Sequence, residues 1–256
     1  MIVQWINEAE KELAAAGVET PRLDAELLLA HVLGCERFEL YLAVPGQPSA
    51  ISKKKFDDYI ERRIKREPVA YIIGCKEFWS ILIKVTPDVL IPRPETEAVV
   101  EKALKLSGHR TILDLCTGSG CIAAALATEF PQAHITVVDI SKEALTVAKE
   151  NLKFAGDRIT FVEGNLFENV RGQFDLIVSN PPYIPTSICD TLMPEVKFFE
   201  PRRALDGGAN GLDFVEKIRQ YAPNFLKPDG HLILENGPEI ETWTSSSLKA
   251  AFPFTA

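Results

Sequence analysis

Methionine, tryptophan and histidine are scarce in this chain, at two, three and four of 256 residues. His31, His109, His134 and His231 show no ligand spacing, so no metal site is indicated. Cysteine is little used as well. Cys35, Cys75, Cys116, Cys121 and Cys189 are five, an odd number, and no Cys-x-x-Cys pair occurs. That argues against a zinc ribbon and a thioredoxin-type site and for reduced thiols in a cytoplasmic protein. No apolar run is long enough to span a bilayer. The start carries Glu8, Glu10 and Glu12 and lacks the basic-then-apolar layout of a secretory signal. Positive charge is in deficit, 28 Lys and Arg against 36 Asp and Glu, for a net charge of −8. A chain so charged is a poor non-specific ligand for nucleic acid.

What remains is an ordinary globular mix, 46% hydrophobic and 25% charged, with enough chain to bury a sizeable core. The amino-terminal part reads as helices. Trp5, Ile6, Ala9 and Leu13 recur at helical spacing until Gly17. Thr20-Pro21 opens a second helix that Gly34 closes. Ser52 is placed to cap a third, with Phe56, Ile60 and Ile64 on one stripe. Its other faces carry Lys53, Lys54, Lys55, Arg62, Arg63, Lys65 and Arg66, read as a solvated face. Phe78 to Val85 and Val89 to Ile91 read as a hairpin about the Thr86-Pro87-Asp88 turn. A proline-stiffened loop from Ile91 to Glu97 then enters a helix near Thr96. After residue 110 short apolar runs at 111–115, 135–139, 159–163, 174–179 and 231–235 alternate with helical patterns, notably 141–154 and 212–225. Such alternation predicts an α/β fold with a mainly parallel, doubly wound sheet.

Two segments carry the chemistry. The first strand of the sheet runs through Asp114 and Leu115 into Cys116-Thr117-Gly118-Ser119-Gly120 and a helix. A Gly-x-Gly turn lets a ligand approach the backbone, and a helix start offers free N–H groups. The next strand ends at Asp139, an acid placed to take two ribose hydroxyls. Gly118, Gly120 and Ala123 alone would also fit a nicotinamide enzyme. Asp114 points elsewhere: a carboxylate repels a diphosphate but attracts the ammonium of S-adenosylmethionine, directly or through water. The second segment is Asn180-Pro181-Pro182-Tyr183, at the end of the 174–179 strand. The Asn180 side-chain oxygen and the Pro181 carbonyl can each accept one N–H of a planar NH₂ group, and Tyr183 offers a flat face. This suits methylation of an amide or an exocyclic amine. The strands ending at Asp114 and Asn180 are expected to be neighbours.

With these segments in view, the chain resembles the release-factor glutamine methyltransferase family (HemK/PrmC). The resemblance runs through Pro21 to Leu28, Arg63 to Gly74, Ile91 to Glu97, the glycine loop, Asp139, Asn180 to Tyr183, and Glu200 to Gly208 with Gly211-Leu212. It implies a class I, Rossmann-like methyltransferase preceded by a small helical domain: 1–75 helical and substrate-binding, 76–95 a β-hairpin linker, 96–256 the methyltransferase domain. It also implies methyl transfer from S-adenosylmethionine to the glutamine amide in the Gly-Gly-Gln motif of peptide-chain release factors. Cys116, Thr117, Gly118, Ser119, Gly120, Asp139, Leu166 and Asn180 fall on the family's cofactor positions, and Asn180, Pro181, Pro182 and Tyr183 on its substrate positions. Neither a membrane nor direct nucleic-acid binding is expected. Two competing readings are an adenine amino-methyltransferase and a weakly active binding protein. Departures from the family pattern are Asn165, where Asp is usual, and Pro238-Glu239-Ile240 after the last strand. Nothing after Glu235 reads as the family's closing antiparallel strand pair, which is therefore expected to be missing, and 242–251 reads as a last helix.

Overall fold

A computed structural model describes residues 2–42, 49–106, 108–237 and 239–252. The chain begins with α1 (Ile2–Ala15), α2 (Pro21–Leu33), α3 (Ala50–Ile64) and α4 (Val69–Ile73), followed by β1 (Cys75–Phe78) and β2 (Ile81–Lys84). Next come α5 (Glu97–Leu104), β3 (Thr111–Leu115), α6 (Cys121–Glu129), β4 (His134–Asp139), α7 (Lys142–Asn151), β5 (Ile159–Glu163) and β6 (Phe174–Ser179). It continues with α8 (Thr186–Cys189), α9 (Pro194–Phe199), α10 (Asp213–Phe225), β7 (Leu226–Asn236), β8 (Glu239–Thr244) and α11 (Ser245–Ala251). The chain divides into two units. Met1–Gly74 with Met193–Phe199 form the first, and Cys75–Leu192 with Glu200–Ala256 form the second. α9 thus joins the helical unit, although the sequence reading had placed its residues with the methyltransferase segment.

In the first unit Ile6, Leu13, Leu28, Leu29, Phe56 and Ile60 form the core. Gly34 ends α2 in the left-handed conformation, at φ 66°. Two expectations need correction. The cap of α3 is Ser49, whose hydroxyl accepts from the Ser52 N–H at 3.1 Å; Ser52 lies inside the first turn. The basic run is not all solvated either. Phe56, Ile60 and Arg63 share one stripe at helical spacing, and Arg63 takes the buried position that Ile64 was expected to hold. Its guanidinium donates to Asp24 at 2.7 Å and to Glu195 of α9 at 2.8 Å, while Arg66 grips the same Glu195 at 2.6 Å. A buried cation is tolerable only when paired this fully.

The second unit holds a six-stranded sheet in the order β5-β4-β3-β6-β7-β8. All pairs are parallel except β7 with β8. β3 and β6 are neighbours as expected, with Asp114 opposite Val178 and Leu115 opposite Ser179. The chain runs from β3 outward to β4 and β5, then returns to β6 on the other side. The carboxyl ends of β3 and β6 therefore flank the switch point where α/β sheets bind ligands.

Two strand expectations are corrected. The hairpin pairs Cys75–Phe78 with Ile81–Lys84, and 89–91 is not a strand. Its turn is Trp79-Ser80, both at positive φ (53° and 56°), as a two-residue hairpin turn requires. The other concerns the end of the sheet. A single antiparallel strand, not a pair, follows Glu235 among the described residues: β8 pairs with β7 from His231↔Thr244 to Asn236↔Glu239, and the last helix starts only at Ser245, so 242–244 are strand where a helix was expected. Ile240, Thr242, Trp243 and Thr244 are β-branched or aromatic and favour the pleated surface over a helix.

Candidate active site

A cavity of about 270 Å³ opens at the switch point. Of the residues singled out in the sequence, Cys116, Thr117, Gly118, Ser119, Asp139, Leu166, Asn180 and Pro182 line it. Asp114, Gly120, Pro181 and Tyr183 are not among its lining residues. Each of these four is nevertheless chained to a neighbour in the site.

The loop after β3 turns sharply. Cys116, Gly118 and Gly120 all have positive φ, at 57°, 53° and 78°, and so does Leu166 across the cavity, at 55°. For Cys116 and Leu166 this is a costly conformation of the kind found where backbone is shaped around a ligand. Gly120 is doubly constrained, because a Cβ there would lie 3.2 Å from Ala148 and Leu152 of the α7 region. Asp139 braces the loop from the next strand. One carboxylate oxygen accepts from the Gly118 N–H at 2.9 Å and the other from the Ser141 N–H at 2.9 Å. Each oxygen keeps a lone pair for a further donor. Burial holds this carboxyl above its ordinary pKa.

Asp114 is fully buried behind the loop. Oδ2 accepts from the Thr117 hydroxyl at 2.6 Å, and Oδ1 has no partner. Burial, chiefly, pushes its pKa to about 7. The sign of the consequence follows. The unfolded chain releases this proton near pH 3.8, but the folded chain keeps it until about 7. Stability therefore falls as pH rises through that window, by at most about 4 kcal/mol in all. Asp114→Asn is expected to flatten the melting temperature between pH 5 and 8 relative to the parent. Parallel thermal melts across that range check it, and identical slopes would show that Asp114 does not titrate there.

On the β6 side, the Ser179 hydroxyl donates to the Leu115 carbonyl at 2.8 Å and ties the two strand ends together. Asn180 Nδ2 donates to the Thr96 hydroxyl oxygen at 3.0 Å. The Tyr183 hydroxyl donates to Glu235 Oε1 at 3.2 Å, and its pKa is pushed to about 12, first by burial and then by the charge of Glu235. Residues 184–186 are clamped by the loop after Glu200. Ile184 N–H donates to the Leu205 carbonyl at 2.9 Å, and Gly207 N–H to the Ile184 carbonyl at 2.8 Å. Thr186 N–H donates to the Gly208 carbonyl at 2.8 Å. Glu200 also accepts from the Ile91 N–H at 3.1 Å and pairs with Arg93 at 2.5 Å, so it anchors the proline loop.

The profile described as PrmC N-terminal domain matches residues 4–74, and that described as methyltransferase small domain matches residues 95–195. The release factor glutamine methyltransferase of Geobacter sulfurreducens is 47% identical over 229 residues, covering 88% of this chain and 80% of that protein. Those of Rhodopirellula baltica (43%, 93% and 83% covered) and Caulobacter vibrioides (41%, 98% and 89% covered) are similarly related. The chain belongs to the release factor glutamine methyltransferase family.

Enzymes of the release factor glutamine methyltransferase family use S-adenosylmethionine, and the site suits that group. Asp139 has spare acceptor capacity for vicinal hydroxyls. Asp114, fully buried behind the loop and outside the cavity lining, can act on a cationic ligand only through its charge. Ile140, Leu166 and Phe214 supply apolar wall. Sequence reasoning missed Thr96 and Glu235 as site residues, taking them for a helix start and a strand end. The rule that ligands gather beyond strand ends pointed to Glu235, which lies next to the end of β7, the strand beside β6. Arg203 was missed too. It lines the cavity and acts electrostatically on Asp139.

Proposed function

We propose that this chain transfers a methyl group from S-adenosylmethionine to the side-chain amide nitrogen of glutamine in the Gly-Gly-Gln motif of release factors. The observation that carries the residue assignment is the posture of Asn180. Its NH₂ is spent on Thr96, which leaves Oδ1 as an acceptor at the cavity wall. An amide nitrogen is a weak nucleophile because its lone pair is delocalised. Asn180 Oδ1 and the Pro181 carbonyl would accept its two N–H bonds, fixing the nitrogen and raising its electron density. Proline holds that carbonyl rigidly, and Tyr183 would support the flat amide.

Bound S-adenosylmethionine supplies an electrophilic methyl group on a sulfonium. Asp139 would hold its ribose hydroxyls, and the 116–120 loop would face it with backbone. Rate then comes from alignment and exclusion of water, since the amide proton becomes acidic as the new bond forms. We assign recognition of the release factor to the helical unit. Among the described residues no helix is long and apolar enough to cross a membrane. We place the protein in the cytoplasm, with no direct role for nucleic acid.

Incubation with methyl-labelled cofactor, a release factor and duplex DNA in separate reactions tests this reading. Label is expected on the release factor. Label on DNA alone would replace it with an adenine amino-methyltransferase.

A further inference from the structure

Glu235 is 1% exposed, lies beyond the cavity lining and has one oxygen, Oε2, with no hydrogen-bond partner. The Tyr183 hydroxyl donates to Oε1, and the Thr96 hydroxyl and the Asn180 amide also face the carboxylate, opposing the upward pull of burial on its pKa. An ionised carboxylate accepts and cannot donate. A primary amide has two ends of nearly equal size and opposite hydrogen-bonding character, so its orientation is decided by what it faces. Asn180 donates to the Thr96 oxygen at 3.0 Å and is also close enough to Glu235 to favour its charged form. The Thr96 hydroxyl oxygen already accepts from Asn180 Nδ2, and a nearby carboxylate favours turning its own proton toward the charge, which leaves lone pairs for Asn180. Both neighbours therefore demand N–H.

We propose that Glu235 is a positioning residue for methyl transfer, which by being acceptor-only turns the Asn180 NH₂ inward and keeps Asn180 Oδ1 toward the substrate amide. This rests on the reading of Asn180 as the acceptor for that amide. Without the carboxylate, Thr96 is free to donate to Asn180 Oδ1. The amide can then turn over and present N–H groups to a substrate that also presents N–H groups.

Glu235→Met tests this, because it removes both oxygens at similar length. A buried charge without full compensation is replaced by an apolar chain, so the melting temperature should hold or rise. Cofactor affinity should stay within about threefold, while kcat falls about tenfold as the productive orientation is depopulated. Glu235→Gln, which keeps an acceptor oxygen but adds N–H donors, should restore only part of kcat. The Asn180 side-chain NH₂ resonances, assigned by their absence in Asn180→Ala, should shift and exchange faster with water in Glu235→Met. If Glu235→Met fails to fold, Thr96→Val removes the other acceptor and should perturb the same resonances. Unmoved Asn180 resonances in the folded variant, or a kcat equal to the parent, would overturn the proposal. The spectrum needs no substrate. A parent enzyme that does not methylate release factors would therefore defeat the functional reading and leave the orientation test standing.

Discussion

Asn180→Ala is expected to lower methyl transfer about 10³-fold while moving the melting temperature by less than about 3 °C. The side chain lies at the cavity wall, half-buried, where its NH₂ donates to the Thr96 hydroxyl and faces the Glu235 carboxylate. Its removal costs one hydrogen bond inside the protein, about 1 kcal/mol. The expected loss in rate is larger because both of the substrate's N–H bonds must be held for the nitrogen to face the methyl group. With Asn180 gone, the Pro181 carbonyl alone leaves the amide free to rotate. Cofactor affinity should change little, since Asp139 and the 116–120 loop are untouched. Single-turnover kinetics beside a thermal melt separates the effects. A large loss of stability with proportionate loss of rate would make Asn180 structural instead.

Gly211→Ala should be nearly as damaging by a different route. Gly211 has φ 80°, and a Cβ there would lie 2.3 Å from the Tyr183 carbonyl oxygen. That oxygen belongs to backbone, so it cannot swing aside as a side chain can. Relief requires the 182–185 segment to move by about 1 Å. A displacement of that size at reacting groups costs on the order of 10² in rate. Left-handed alanine adds about 1–2 kcal/mol of destabilisation. Gly172→Ala is the control, with φ 89° and nothing within 4 Å of a Cβ. It carries the backbone penalty without the collision, and should lose some stability while keeping its rate. Equal rate losses in the two variants would show that strain, rather than displacement of the substrate loop, is responsible.

Much of this architecture was legible from residue order. The runs 111–115, 159–163 and 174–179 match β3, β5 and β6 residue for residue, because each is a short, mainly apolar and β-branched stretch between helical patterns. The glycine loop and Asn180 to Tyr183 were legible for a related reason: each follows a strand directly. Trp79-Ser80 was not, since neither residue announces a positive-φ turn and the nearby Thr86-Pro87-Asp88 does. Arg63 misled because charge is taken as a sign of exposure, and its partners Asp24 and Glu195 lie far away in sequence. β8 was hidden by its polar composition, with Ile240 and Trp243 its only apolar residues. Thr96 and Glu235 were hidden more deeply. Their importance lies in which atoms face one another across β6 and β7, and neither residue belongs to a motif with an obvious chemistry.

The site of the methyl group on a natural substrate is the most direct measure of the central claim. A release factor incubated with this enzyme and S-adenosylmethionine would be digested and its peptides sequenced by tandem mass spectrometry. The account predicts the mass gain of one methyl group, confined to the glutamine of Gly-Gly-Gln and placed on its side-chain nitrogen. A methyl group on any other residue, or an unmodified glutamine beside an enzyme shown to bind the cofactor, would contradict it.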